Sequence, residues 1–334
     1  MNQEFLKPQR TTNEFGEERR VGVEFEFTGV EMEDIASLLS MLYGGRIEQL
    51  STFEFKIVKT RFGDFGLELD AQLIRDKKYE KFLKSIGIDL SEYEGQDLVE
   101  DSLKDLASSV VPYEIITPPI PLSKMGELTS LVNGLRKLKA KGTGSSFVYA
   151  FGLHLNPEIP DESTTTLLNY LRAFVLLDPW IRKDTTVDVS RRLTPFINRF
   201  EDDYMEHILN PVYQPNKTEF IKDYFEFGNS RNRPLDLQPL FMYLNEELTS
   251  KLVEDTLTSS RPAFHYRLPN CSLEDEAWTL AGEWNRWVLV ETLAEDDESL
   301  MQYCKAYLKM KRETVIRFEA KWIELMDRWV KNVG

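Results

Sequence analysis

The chain has 334 residues, of which 42% are hydrophobic and 29% charged, and it is long enough for a globular protein with a large buried core. Its 41 Lys and Arg against 56 Asp and Glu give a formal charge of −15, which argues against nucleic acid or an anionic membrane as the main partner. The two cysteines, Cys271 and Cys304, lack metal-ligand spacing, which excludes a zinc cluster and a disulfide framework and fits a reducing compartment.

The first 20 residues are predicted to be an N-terminal extension. They are charged and contain no apolar run, so we expect no signal peptide. No stretch of the chain approaches the ~18 consecutive apolar residues that a membrane-spanning helix needs. These features predict a cytoplasmic protein.

Alternating apolar and polar residues predict strands in the first half of the chain. The clearest is 21–27, where Val and Phe point to one face and the acids Glu24 and Glu26 to the other. An amphipathic helix is expected over 31–43. The same alternation predicts strands at 53–59, 65–70, 110–117 and 147–156.

Helical patterns dominate the rest. A charged helical insertion is predicted at about 72–108, followed by a long helix over 122–141. Further helices are expected at 161–178, 194–210, 216–226, 235–256, 273–293 and 297–332, with one strand at 263–268. The expected fold class is α+β, with an antiparallel sheet whose apolar face packs on helices and whose polar face is concave and functional. A catalytic domain would span 21–293, and a C-terminal helix at 297–334 would pack on it.

Pairs of polar residues recur at i, i+2 on the non-core face of the predicted strands. The pairs are Glu24/Glu26, His154/Asn156 and His265/Arg267, and other strands contribute Glu114, Glu68 and Asp70. This spacing places both side chains on one side of a strand, ~6.6 Å apart. Two of the three histidines of the chain follow the pattern. If the strands are neighbours, carboxylates, imidazoles, an amide and a guanidinium share one surface.

Such a surface suits ATP chemistry. Carboxylates bind Mg²⁺ together with substrate phosphates, and an arginine stabilises the oxygens of a transferring phosphoryl group. A solvated sheet face with structural histidines is the alternative interpretation of the same pattern. A bound cation, or a cross-strand arginine such as Arg267, would relieve the repulsion between Glu24 and Glu26.

Five motifs, in this order, resemble the amidoligase family of the carboxylate–amine ligase superfamily, which includes glutamine synthetase and glutamate–cysteine ligase. The motifs are Val-Gly-Val-Glu24-Phe-Glu26-Phe, Gly-Leu-Glu-Leu-Asp70, Tyr-Glu114-Ile-Ile-Thr-Pro-Pro, Phe-Gly-Leu-His154-Leu-Asn156 and Phe-His265-Tyr-Arg267. The resemblance covers about residues 20–290. It implies the glutamine synthetase-like fold and an ATP-dependent carbon–nitrogen ligase.

The resemblance also implies roles for individual residues. The implied metal ligands are Glu24, Glu26, Glu114 and His154. The implied catalytic set is Glu24, Glu26, Glu114 and Arg267, and the implied nucleotide-binding set is Asp70, His154, Asn156, His265, Arg191 and Arg231. His265 stands where many relatives have Glu, and Ala71-Gln72 replaces a small-residue turn after Asp70.

Arg191 and Arg231 belong to two further clusters that are reminiscent of the family. The first is 188–192 with Asn198 and Arg199, and the second is 229–236 with Asp223. Arginines interleaved with Asn in turns can bind phosphate or a substrate carboxylate. Helix capping and surface ion pairing are equally compatible with the pattern.

The function implied is amide or peptide-like bond formation through an acyl phosphate, with ATP and Mg²⁺, or Mn²⁺, as cofactors. The substrates would be a small-molecule or peptide carboxylate and an amine, and a homo-oligomer stays open. A phosphagen-type kinase on the same fold is one alternative. The other is a non-catalytic binding protein derived from a ligase, which His265 in place of an acid would favour.

Overall fold

The computed structural model describes residues 4–69, 112–143, 152–185, 197–253, 258–314 and 316–333. Several sequence predictions fall outside these ranges, namely the helical insertion at 72–108, Asp70, and the segment 188–192 with Arg191. The strand predicted at 147–156 is described from residue 152 onward.

The described residues form one nine-stranded sheet and ten α-helices, which makes the fold α+β as predicted. The strands are β1 (Arg20–Phe27), β2 (Arg46–Ser51), β3 (Glu54–Thr60), β4 (Gly63–Leu69), β5 (Tyr113–Ile116), β6 (Ile120–Pro121), β7 (Leu153–Pro157), β8 (Leu235–Asp236) and β9 (His265–Tyr266). They lie in the order β2-β3-β4-β5-β1-β7-β9-β8, with β6 paired to the start of β1, and the described pairings are antiparallel.

The helices are α1 (Met32–Tyr43), α2 (Thr129–Lys137), α3 (Thr164–Asp184), α4 (Asp202–Leu209), α5 (Lys217–Glu226), α6 (Gln238–Leu244), α7 (Glu246–Thr249), α8 (Leu280–Ala294), α9 (Asp297–Glu313) and α10 (Phe318–Val333). A 3₁₀ helix, Leu122–Leu128, precedes α2. Helix α1 packs on β3 and α2, while α3 lies against α4, α8, α9 and α10. Within the described ranges, no helix is both long and apolar enough to cross a lipid bilayer.

The central strand β1 is held in place by its apolar face. Val21, Val23, Phe25 and Phe27 are all completely buried, as the alternation predicts. The helices cover this face, and ring contacts such as Phe174 on Tyr266 extend the core beneath β9. Glu24 and Glu26 therefore lie on the opposite face of the sheet, away from the main core.

The helix predicted over 235–256 is divided in the structure. It consists of α6 and α7, separated at Asn245, whose side chain accepts a hydrogen bond from the backbone N–H of Leu248 at 3.1 Å. An Asn side chain that satisfies an N-terminal donor starts a new helix, so one continuous helix was the wrong prediction here.

The single C-terminal helix predicted over 297–332 is also wrong. The described residues form α9 and α10, with a break after Glu313. The β-branched run 314–316 has low helix propensity, and Arg317 has a φ of 60°, which is incompatible with a continuing right-handed helix. The strand predicted at 263–268 is shorter than expected, because the residues flanking β9 pair only as the isolated bridges Glu158↔Ala263 and Gly152↔Asn270.

The N-terminal segment is anchored by a buried ion pair. The Arg19 guanidinium donates to both carboxylate oxygens of Glu291 on α8, at 2.8 and 2.9 Å, and both side chains are 1% exposed. Arg19 also donates to the backbone carbonyls of Arg10 and Glu158, and Trp287 donates to Glu291 at 2.6 Å. The predicted extension 1–20 is thus packed on the domain over its described part.

We expect Arg19→Ala to destabilise the protein by about 3–5 kcal/mol, because it leaves the Glu291 carboxylate buried and unpaired. Arg46→Ala is the matched control, since the Arg46–Glu48 pair is exposed and contributes about 0–1 kcal/mol. Urea unfolding followed by circular dichroism measures both. Equal stability losses in the two variants would contradict the anchoring role of Arg19.

Candidate active site

The strand register brings the predicted polar residues together on one face of the sheet. On β1, Glu24 lies opposite His154 of β7, and Glu26 lies opposite Glu114 of β5. The pairing of Leu155 with Tyr266 places the next residue of β7, Asn156, beside His265 of β9. The three i, i+2 pairs predicted from the sequence are therefore on neighbouring strands.

Glu24 is the centre of a buried hydrogen-bond network. Its Oε2 lies 2.8 Å from His154 Nδ1, and its Oε1 accepts hydrogen bonds from Asn156 Nδ2 at 2.9 Å and from Arg261 Nη1 at 3.0 Å. The Asn156 Oδ1 atom lies 2.7 Å from His265 Nδ1. Glu24 is 7% exposed, and three donors already surround its carboxylate.

This network fixes the proton positions of both imidazoles. An ionised carboxylate only accepts hydrogen bonds, so His154 carries a proton on Nδ1 and donates it to Glu24. Asn156 uses its amide N–H toward Glu24, so its oxygen accepts from His265 Nδ1. The other ring nitrogen of His154, Nε2, lies 3.3 Å from Glu26 Oε1.

The surroundings keep Glu24 ionised and His265 neutral. Burial alone would raise the pKa of Glu24, but the hydrogen bond of His154 and the charge of Arg261 outweigh it and hold this pKa well below its ordinary value. Burial lowers the pKa of His265 well below its usual range, against the pull of Glu24, and Arg261 lowers it further. At neutral pH, His154 and Arg261 are therefore the groups that stabilise the Glu24 anion.

A row of acids lies beside this network. Glu26 is opposite Glu114, which is opposite Glu68 on β4, and all three are only partly buried. Side chains directly opposite each other on antiparallel strands are about 4.5–5.5 Å apart at Cβ, so three like charges repel at this distance. Glu26 Oε2 accepts one hydrogen bond, from the Gly152 backbone N–H at 2.6 Å.

Two groups of side chains in the described ranges could bind a metal ion, and His154 belongs to both. Glu26, Glu114 and His154 offer ligand atoms within 4.8 Å of one another, and so do Glu24, His154 and His265. The second group is buried and includes the Arg261-paired carboxylate, which disfavours another cation. The first group is more open and lies next to Glu68, so its charge favours a cation.

The predicted arginines that the structure describes, Arg267 and Arg231, contact each other. Arg267 Nη1 donates to the backbone carbonyl of Arg231, which joins the two residues implied by the resemblance. In the two further clusters, Arg233 donates to the carbonyl of Arg199, and Arg199 forms a salt bridge with Glu319 at 2.8 Å. The described members of these clusters thus make ion pairs and loop contacts. Ion pairing is the alternative to phosphate or carboxylate binding that the sequence allows.

Asp236, also from the second cluster, lies opposite His265 in the sheet. Burial raises the pKa of its carboxyl to about 6, and its Oδ1 accepts a hydrogen bond from the backbone N–H of Gln238 at 2.9 Å. The row of facing residues therefore runs from Gly22 through Asn156 and His265 to this acid.

Arg261 is a site residue that the sequence patterns missed. It precedes Pro262 in a segment without alternation, and the pairing Glu158↔Ala263 brings this segment to the end of β7. A cleft of about 350 Å³ opens here, lined by Arg261, Glu24 and Arg20 among others. The sequence signal that could have indicated Arg261 is its position, as a cation shortly before the strand that contains His265.

A comparison with protein-family models shows the family of the chain. A family described as "Putative amidoligase enzyme" matches residues 17–289. The chain belongs to this amidoligase family. The match contains every described member of the network around Glu24 and of the acidic row, and it begins within the predicted N-terminal extension. Searches of curated proteins and of solved structures give no match.

We expect acid to destabilise the folded protein through His265. The unfolded state takes up a proton near the ordinary histidine pKa of about 6.5, whereas folded His265 stays neutral, so stability falls as the pH decreases below that value. His265→Gln should reduce the slope of unfolding free energy between about pH 7 and pH 5 by up to about 1.4 kcal/mol per pH unit. Urea unfolding with a chelator present measures this, and an unchanged slope would contradict a neutral buried His265.

Proposed function

We propose that this member of the amidoligase family is an ATP-dependent carboxylate–amine ligase that forms an amide through an acyl phosphate. The observation that carries the proposal is the juxtaposition of an acidic row, Glu26 and Glu114, with the ordered imidazole of His154. Membership of the amidoligase family supports the ligase class. ATP dependence and the glutamine synthetase-like character of the fold belong to the proposal.

The residues of the acidic row fit a divalent cation. Glu26, Glu114 and His154 Nε2 would hold Mg²⁺ or Mn²⁺, since carboxylates suit both ions and a mixed oxygen and nitrogen set suits Mn²⁺ better. The fit follows from the donor set, because two carboxylates and one imidazole offer ligand atoms that lie within 4.8 Å of one another. When bound, the ion supplies charge neutralisation for the phosphates of ATP.

Glu24 is proposed to position His154. A metal-binding histidine commonly donates its second ring N–H to a carboxylate, which fixes the ring and raises its basicity. Glu24 accepts that hydrogen bond at 2.8 Å, and Arg261 and Asn156 fix the carboxylate in turn. The resemblance implies that Glu24 binds the metal directly. We propose instead that Glu24 orients His154, which binds it.

The chemistry would proceed in two displacements. A substrate carboxylate oxygen attacks the γ-phosphorus of ATP, the bond to the bridging oxygen breaks, and ADP leaves with the electron pair. An amine nitrogen then attacks the acyl carbon, phosphate leaves, and the nitrogen loses a proton to a nearby carboxylate. Arg267, together with its neighbour Arg231, is proposed to stabilise the phosphoryl or acyl-phosphate oxygens.

Removal of one carboxylate from the acidic row tests this function. We expect Glu26→Gln and Glu114→Gln to reduce amine-dependent phosphate release from ATP by about a hundredfold or more, because charge stabilisation of the phosphates is lost. The assay supplies ATP, Mg²⁺ and pools of amino acids and amines. Glu48→Gln, on the exposed edge strand β2, is the matched control and should keep wild-type activity.

Two results would contradict the ligase proposal. ADP formation without free phosphate, accompanied by a phosphorylated acceptor, indicates a kinase. Absence of ATP binding by calorimetry, with no turnover of any pool, indicates a binding protein that has lost the chemistry.

The proposed roles of Glu24 and Glu26 predict different metal affinities. Glu24→Gln should weaken Mn²⁺ binding about 10–100-fold, as expected for a residue that orients a ligand. Glu26→Gln removes a ligand oxygen and should have a larger effect. Electron paramagnetic resonance of free Mn²⁺ measures both affinities, and a stronger effect of Glu24→Gln would instead favour the Glu24, His154 and His265 group.

A further inference from the structure

We propose that the cleft beside Glu24 binds the carboxylate substrate and that Arg261 is the side chain that binds its carboxylate group. The description of the ligand as a substrate rests on the proposed function. Binding itself is a separate property, which can be measured without ATP and without turnover.

The cleft lies on the opposite side of Glu24 from the proposed cation site. Arg20 and Gly22 precede Glu24 on the same face of β1 and line the cleft, whereas Glu26 follows it and belongs to the acidic row. Residues two apart on a strand are ~6.6 Å apart, so the two regions flank the Glu24–His154 pair. A carboxylate in the cleft and a phosphate at the acidic row would meet beside that pair.

The acids of the cleft already accept hydrogen bonds. Glu24 accepts them from Asn156 and Arg261 and is bonded to His154. The other acid, Glu158, accepts at Oε1 from Asn13 Nδ2, at 2.9 Å, and at Oε2 from the Arg20 backbone N–H, at 2.9 Å. These engaged carboxylates are poorly suited to bind an ammonium group, so the cleft does not favour an amine.

The cations of the cleft retain donors for an anion. Arg261 uses Nη1 for Glu24, while its Nε is buried and has no acceptor among the described residues. Arg20 is exposed and makes no side-chain salt bridge with the part of the chain that the structure describes. The Arg261 side chain is 32% exposed, so a ligand can reach its guanidinium group, and a carboxylate matches this planar group in shape and charge.

The walls and size of the cleft limit the rest of the ligand. Ile116, Pro119, Pro262 and Ala263 provide apolar surface next to the charged groups. A volume of about 350 Å³ is at the small end of the range for ligand pockets, which is roughly 300–1,000 Å³. The ligand class is therefore a small carboxylate with a short hydrocarbon body, of the size of an amino acid.

Butyrate and butylamine form a pair of probes with the same hydrocarbon chain and opposite charge. Ligand-observed NMR on the full-length protein without nucleotide measures their binding, together with glutarate and L-glutamate as larger carboxylates. We expect at least one of the carboxylates to bind in preference to butylamine. Arg261→Gln should weaken that binding about 10–100-fold, because a charge-assisted hydrogen bond is lost.

Two variants keep the test decisive. Arg46→Gln makes the same substitution on exposed β2 and should bind the carboxylates as the wild type does. Arg261→Lys retains the charge but loses the planar donor pair, and should bind with intermediate affinity. Circular dichroism establishes that each variant is folded.

The proposal is overturned if butylamine binds and the carboxylates do not, if no carboxylate binds the wild type at millimolar concentration, or if Arg261→Gln and Arg46→Gln have equal affinity. MgATP binding, measured separately by calorimetry, distinguishes failure of the cleft proposal from failure of the proposed ligase function. Arg261-dependent carboxylate binding without any ATP binding would support the proposed carboxylate site and contradict the proposed ligase function.

Discussion

The position of β1 in the sheet is the constraint on which the polar surface depends. Its four completely buried Val and Phe side chains, from Val21 to Phe27, fix which face of the strand meets the helices. A register shift of one residue would turn Glu24 and Glu26 into this core, at a large desolvation cost. Burial on one face thus fixes the orientation of the acids on the other, and the pairing with β5 and β7 fixes their neighbours.

The polar face separates charge into two regions around a common centre. Carboxylates predominate toward β5 and β4, at Glu26 and Glu114, while guanidinium groups lie toward the cleft, at Arg261 and Arg20. Glu24 and His154 occupy the boundary and are hydrogen-bonded to each other, and Asn156 also donates to Glu24. The proposed reaction would use this separation, because its phosphates and its substrate carboxylate are both anionic and each would be neutralised by a different group.

Alternation and spacing in the sequence were sufficient to predict the fold class, the strand faces and the described polar pairs. The network inside the site was not predictable in this way, because hydrogen bonds between β1, β7 and β9 depend on register and strand order. Arg261 illustrates the limit. It lies outside any alternating segment, and only the approach of its loop to the end of β7 brings it within 3.0 Å of Glu24.

The helix boundaries show a second limit. Periodicity continues across Asn245 and across 314–316, so pattern alone predicted two long helices. Each predicted helix is divided in the structure. The Asn245 side chain caps α7, and β-branched residues disfavour helix after α9. The segments that hold Asp70 and Arg191 lie outside the described residues, and the roles implied for them stay predictions.

The most direct test of this account is anomalous diffraction from crystals grown with Mn²⁺ and a non-hydrolysable ATP analogue. The account predicts an anomalous peak bound by the carboxylates of Glu26 and Glu114 and by His154 Nε2, with the γ-phosphate of the nucleotide beside it. A peak between Glu24 and His265, or a nucleotide bound away from this face of the sheet, would contradict it.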